Sequence, residues 1–174
     1  MIAPADNSPA RRSAIPKRLQ VRVFRRDGWL CHWCGRPVIF APTMRYLENW
    51  VRDTGFEGQL AYYDPRWRRD KAPLLDHLAA VIDHVLAHSR RGAANEANFV
   101  TACNKCNMRK NNAVAADFSE RSPLLQTKGK YGEPQQWDGL SSVFITLIER
   151  KPNIATATER AWLEALTKST SLPE

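Results

Sequence analysis

A chain of 174 residues is sized for one domain around a single core, and its apolar runs are too short to cross a bilayer. Its first ten residues are polar and carry proline, with charge after rather than before any apolar stretch, so they do not read as a signal peptide and the expected compartment is the cytoplasm. The net charge of +8 favours a polyanionic partner, and without a lipidation motif nucleic acid is preferred over an anionic membrane surface.

The positive charge is clustered. Arg11, Arg12, Lys17, Arg18, Arg22, Arg25 and Arg26 fall within sixteen residues that hold no acid. A second group, Arg66, Arg68, Arg69 and Lys71, is interleaved with Tyr62, Tyr63 and Trp67. Cations attract phosphate and aromatic faces stack on exposed bases, so both groups, Arg25, Arg26, Arg68 and Arg69 in particular, are candidate nucleic-acid contacts. The plainer alternative is a solvated basic surface.

In chain order, residues 1 to 14 are expected to be a disordered basic arm. Pro16 opens a helix running to Arg26, with Leu19, Val23 and Phe24 as its apolar stripe, and Asp27-Gly28 ends it. The turn Trp29-Leu30-Cys31-His32-Trp33-Cys34-Gly35-Arg36-Pro37 then has the form of a zinc knuckle. Met44, Leu47, Trp50 and Val51 predict a helix over 43–54, followed by loop or irregular strand from 58 to 71. The β-branched stretch 79–85 predicts a strand, 90–98 a glycine-containing loop, 99–102 a second strand, and 103–115 a helix. Beyond an extended segment at 117–137, helices are expected over 140–150 and 158–168, paired as a hairpin with Trp162, Leu163 and Leu166 as core.

The four cysteines, at 31, 34, 103 and 106, form two Cys-x-x-Cys pairs with none left over. In a reducing compartment that arithmetic favours one four-thiolate zinc site over two disulfides. His32, inside the first pair, is superfluous as a ligand and is read as a surface side chain. A redox role for a Cys-x-x-Cys would require a βαβ setting, which the pattern does not offer.

Around the second pair lie groups suited to phosphodiester hydrolysis. Such a reaction needs a divalent cation, for which Mg²⁺ or Mn²⁺ prefers the oxygens of Asp and Asn, and a base near neutrality, for which His serves. Asp83, His84 and Asn107 supply them. One helical step turns about 100°, so Cys106 can face zinc while Asn107 faces elsewhere. Lys110 and Asn111 share the side of Asn107 and could reach phosphate. One tension remains: in a regular strand Asp83 and His84 point to opposite faces, and both serve one site only if the strand ends or bulges there.

These residues resemble the HNH endonuclease family, whose ββα-metal motif runs Asp-His, then Asn, then His or Asn just after a Cys-x-x-Cys. Here those positions are Asp83-His84, Asn98 and Asn107, an H-N-N variant, and the upstream RRDGWLCHWCGRP resembles the subgroup with a four-cysteine structural zinc. The resemblance covers about 20–37 and 80–112. It implies an α+β fold, a small ββα-metal core with a zinc knuckle set in mostly helical flanking and inserted segments. The nuclease domain would span 15–116, interrupted by an insertion at 40–78 and followed by a C-terminal extension at 117–174.

By that resemblance His84 is the general base of DNA hydrolysis, and Asp83 and Asn107 hold the catalytic Mg²⁺ or Mn²⁺. Asn98 ties down the loop and helps orient His84, while Arg109 and Lys110 contact phosphate. Cys31, Cys34, Cys103 and Cys106 hold the structural Zn²⁺. Family behaviour implies 5′-phosphate and 3′-hydroxyl ends, and a lone site of this kind cuts one strand, so a monomer or homodimer is expected. Two departures stand out, Ala87 where many members have Pro and Arg91-Gly92 in place of a glycine pair. Asp76-His77 repeats the Asp-His dipeptide at the wrong spacing and is rejected, and His88 reads as an exposed loop residue. The competing reading is a zinc-stabilised nucleic-acid-binding module that does not cleave.

Overall fold

The computed structural model describes residues 14–57, 76–111, 113, 118 and 137–168. The arm at 1–13 and the basic-aromatic cluster with Arg66, Arg68, Arg69 and Lys71 lie outside the described residues, as does most of the segment expected to be extended at 117–137. No helix among the described residues is long and apolar enough to cross a membrane.

At the centre is a two-stranded antiparallel sheet. Strand β1 (Ala80–His84) pairs with β2 (Phe99–Cys103) in unbroken register, from Ala80 opposite Cys103 to His84 opposite Phe99. Every residue of β2 is buried, Thr101 among the apolar ones, so the strand shows no in-out alternation. Helix α1 (Lys17–Arg26) covers this sheet with Val21, Val23 and Phe24. Leu19, expected in that stripe, is only half-buried, and Val21 takes its place.

Polar groups fix α1 to β2 at its C-terminal end. The Asp27 carboxylate accepts from the Thr101 backbone N–H at 2.7 Å, and the Thr101 hydroxyl donates to the Val23 carbonyl at 3.3 Å. Asp27, read from sequence as a helix stop, is therefore also the anchor of the inner strand. The first knuckle is tied to the same strand, because His32 N–H donates to the Thr101 carbonyl at 2.8 Å.

The chain leaves the knuckle at Ile39 and returns beside it. Ile39 N–H donates to Leu78 O at 2.9 Å, and Ala80 N–H donates to Ile39 O at 2.8 Å, a short parallel bridge. The two ends of the long 40–78 segment are thus stapled together, and closing it costs little more than closing a short loop. Within it, α2 (Ala41–Asp53) forms close to the predicted position, but its buried face differs. Pro42, Thr43 and Tyr46 face the core while Leu47 is 40% exposed. Of the predicted Met44, Leu47, Trp50 and Val51 stripe, Trp50 packs half-buried against the core, Met44 and Val51 are half-buried, and the centre of the buried face is shifted by about one step. Tyr46 wins the core position because its hydroxyl donates to the Lys151 carbonyl, which satisfies the one polar atom its burial would strand.

The other α-helices among the described residues are α3 (Asn104–Lys110), α4 (Ser141–Arg150) and α5 (Ala157–Lys168). The two C-terminal helices touch each other, but α4 packs chiefly on α2 and α5 chiefly on α1. Phe144, Ile148, Ala165 and Leu166 join Val21, Phe24, Trp29 and Phe40 in one core, with Phe40 meeting Phe144 and Trp162 edge-on. The start of α4 is held by Asp138, whose carboxylate accepts from Leu140 and Ser142 N–H groups at 2.9 and 2.8 Å. Helix α5 opens with a capping box: Glu159 accepts from Thr156 N–H at 2.7 Å, and the Thr156 hydroxyl accepts from Glu159 N–H at 3.3 Å.

Candidate nuclease and zinc sites

The two cysteine pairs converge where the first knuckle meets the junction of β2 and α3. All four sulfurs lie within 4.8 Å of one another, and Cys31, Cys103 and Cys106 are buried. Cys103 is also the N-cap of α3, its sulfur accepting from the Cys106 N–H at 3.4 Å. Hydrogen bonds from the Cys103 and Cys106 thiols push the Cys31 thiol far down, while Cys106, donating to Cys103 and Cys31 and buried beside them, is pushed up. Bringing four thiols this close concentrates negative charge that a bound cation would offset. Four clustered soft donors with no polar oxygen among them fit tetrahedral zinc.

Strand β1 runs through both Asp83 and His84 in regular register, Asp83 opposite Val100 and His84 opposite Phe99, so no bulge or strand end separates the two residues and the expected tension between their faces stands. Asp83 is 6% exposed and turns inward. Its Oδ2 accepts from the Trp33 indole N–H at 2.8 Å and its Oδ1 from the His84 backbone N–H at 2.8 Å. The His84 ring is half-buried and stands edge-on to Phe99, its cross-strand partner, with centroids 4.8 Å apart. Trp33, which carries no signal except its place inside the first Cys-x-x-Cys, thereby links the zinc knuckle to Asp83.

Asn98 bridges the loop between the strands. Its amide donates to the Leu86 and Ala93 carbonyls, each at 2.9 Å, and its Oδ1 accepts from Leu86 N–H at 2.8 Å. Gly92 is packed against the same crossing. A Cβ there would lie 1.8 Å from the Leu86 carbonyl oxygen and 2.9 Å from the Asn98 amide nitrogen, so only glycine fits. Arg91 beside it sits at φ 65°, in the left-handed region.

Helix α3 is shorter than expected, closing at Lys110 with Asn111 at φ 45°, so Asn111 does not continue the face of Asn107. Asn107 is half-buried on α3, next in sequence to the buried Cys106. Lys110 requires a correction. Expected at the surface against phosphate, it is 1% exposed, and its ammonium donates to the His84 carbonyl at 2.7 Å. It also pairs with both Asp83 oxygens, at 3.2 and 3.4 Å, above the Trp33 ring. A lysine stem is long enough to reach inward when a buried carboxylate and a strand-end carbonyl wait for it.

The other expected DNA contacts divide. Arg109 is exposed and shares the rim of a cavity of about 520 Å³ with Arg36, His77 and Lys105, over an apolar floor that includes Ile39 and Trp137. Arg25 is half-buried and donates to the Leu166 carbonyl at 2.9 Å, capping the end of α5. Each guanidinium nitrogen of Arg26 donates within the protein, to Asp27, Glu96 O and Phe99 O. Arg18 and Arg22 are paired with Glu164 and Glu96. Much of the first basic cluster therefore holds the fold together, while Arg68 and Arg69 lie outside the described residues.

Asp83 carries carboxylate oxygens and Asn107 an amide oxygen, the hard donor type that a small divalent cation prefers. No curated protein and no solved structure matches the chain. Residues 71–113, which carry Asp83, His84, Asn98, the second cysteine pair and Asn107, match the model of the HNH endonuclease family, and with that segment comes nuclease-type chemistry.

Proposed function

We propose that the protein is a metal-dependent endonuclease that hydrolyses DNA phosphodiester bonds. One observation supports this most strongly: the Lys110 contacts draw the Asp83-His84 end of β1 against the helix that bears Asn107, inside the segment that matches HNH endonucleases. In this reading the base His84, the oxygen donors Asp83 and Asn107 and the four-cysteine scaffold serve one centre.

In this reading His84 removes the proton from the attacking water. Its ring is steadied by Phe99 behind it, and its backbone by the Asp83 and Lys110 contacts on either side. Asn98 keeps the loop from Leu86 to Ala93 closed and so limits how far the strand end can move. Asp83 and Asn107 would hold Mg²⁺ or Mn²⁺, which supplies Lewis-acid stabilisation of the charge that develops on the leaving oxygen. Arg109, which lines one cavity with Lys105 and Arg36, would meet the phosphate backbone. The four-cysteine zinc site fixes α3 relative to the first knuckle and thereby carries Trp33 to Asp83.

The test is incubation of supercoiled plasmid with zinc-loaded protein in Mg²⁺, Mn²⁺ or EDTA. Nicking or linearisation that requires the added metal is the expected result. A protein that retards the plasmid in a gel yet leaves it intact with either metal would instead be a nucleic-acid-binding module.

A further inference from the structure

Lys110 has the most confined side chain of any cation described here. Its side chain is fully buried, that of its Asp83 partner is nearly so, and the indole of Trp33 lies 5.1 Å below the ammonium. A lysine so placed costs several kcal/mol in desolvation unless each donor is used. Here it is used, on one backbone carbonyl and two carboxylate oxygens that all belong to the Asp-His dipeptide. The same residue pair is the one proposed to carry out the chemistry. A phosphate of bound DNA cannot be reached from this position without breaking the ion pair.

We propose that Lys110 is a positioning residue, which clamps Asp83 and the His84 backbone in one geometry and acts as a fixed positive charge tuning divalent-cation affinity. The proposal rests on the nuclease reading for its consequence, though the clamp itself is a property of the protein alone. The ammonium stands against both oxygens of Asp83, so an incoming cation meets a like charge at the ligand it must share. The clamp thus trades metal affinity for a fixed carboxylate.

The substitution Lys110→Met keeps the stem and removes the charge. In zinc-loaded protein without DNA, Mn²⁺ titration by calorimetry should show binding about tenfold tighter than wild type. At saturating metal, kcat should fall while KM for DNA and the salt dependence of DNA binding stay unchanged. If DNA affinity drops instead, with a salt slope smaller by about one and unaltered Mn²⁺ affinity, Lys110 contacts phosphate and the clamp is wrong.

A second measurement needs no variant of Lys110. In protein with ¹⁵N-labelled lysine, its ammonium should give a slowly exchanging signal without metal or DNA, shifted by Asp83→Asn and unmoved when DNA is added. An ammonium that exchanges like surface lysines, or moves on DNA addition, overturns the proposal even if Lys110→Met fails to fold. A wild-type protein that binds no Mn²⁺ and cuts nothing would sink the nuclease reading, while this signal would still decide the clamp.

Discussion

Replacing Asn98 removes three hydrogen bonds at one stroke, two donated to Leu86 O and Ala93 O and one accepted from Leu86 N–H. Each such bond contributes about 1 kcal/mol net, and the site is half-buried, so water replaces part of what is lost. Asn98→Ala should therefore cost about 2–3 kcal/mol. For a chain of this length about 1 kcal/mol shifts the melting temperature by 2–4 °C, so a fall of roughly 5–10 °C is expected. Asn98→Asp separates geometry from chemistry. It retains the acceptor for Leu86 N–H but turns a carboxylate toward two carbonyl oxygens that previously received protons. At neutral pH it should melt below Asn98→Ala, and the gap should close as pH falls and the new carboxyl takes up a proton. The assay is thermal unfolding of zinc-loaded protein followed by circular dichroism. A variant Asn98→Ala within about 2 °C of wild type, or an Asn98→Asp more stable than it at neutral pH, would refute this account of the loop.

Three further outcomes follow from the same geometry. Gly92→Ala forces a Cβ into the Leu86 carbonyl, a clash with backbone that cannot rotate away, and should destabilise the protein by at least about 2 kcal/mol in denaturant unfolding. Chelation of zinc, or Cys106→Ser, should unfold the knuckle and release Trp33 from Asp83, seen as a loss of near-UV ellipticity and cooperative melting that added Zn²⁺ restores to the chelated protein alone. The Asp138 carboxyl is held below its ordinary value: burial opposes this, but the hydrogen bonds from Ser142, Leu140 and Ser141 outweigh it. Its stabilising contribution is then complete above the unfolded value of 3.8 and is lost as pH falls through the lower folded value, so the cost of Asp138→Ala, about 1 kcal/mol at pH 7, should shrink below pH 3.8.

The strand-loop-strand-helix order was legible because β-branched runs, a glycine loop and a cysteine-capped helix each leave a local signature. So was the pairing of the cysteines, since two Cys-x-x-Cys pairs with nothing over admit few arrangements. What could not be read were contacts made by long side chains across the fold. Lys110 lies on the helical face expected to reach phosphate beside Asn107, and only the buried carboxylate of Asp83, remote in sequence, draws it inward. Asp27 reads as a helix stop, yet its carboxylate secures Thr101 far along the chain. In α2 the apolar pattern put Leu47 inward, but hydroxyl satisfaction at Tyr46 reversed the choice.

The most direct test of the nuclease account is single-turnover cleavage of DNA by wild type and His84→Ala, with binding and cutting measured in the same samples at saturating Mg²⁺ or Mn²⁺. Loss of a general base removes a factor of about 10²–10⁴ in rate. The account expects a cleavage rate reduced by that order in His84→Ala, with DNA affinity and melting temperature close to wild type. Equal cleavage by the two proteins would contradict it, because the base would then lie elsewhere than at the end of β1.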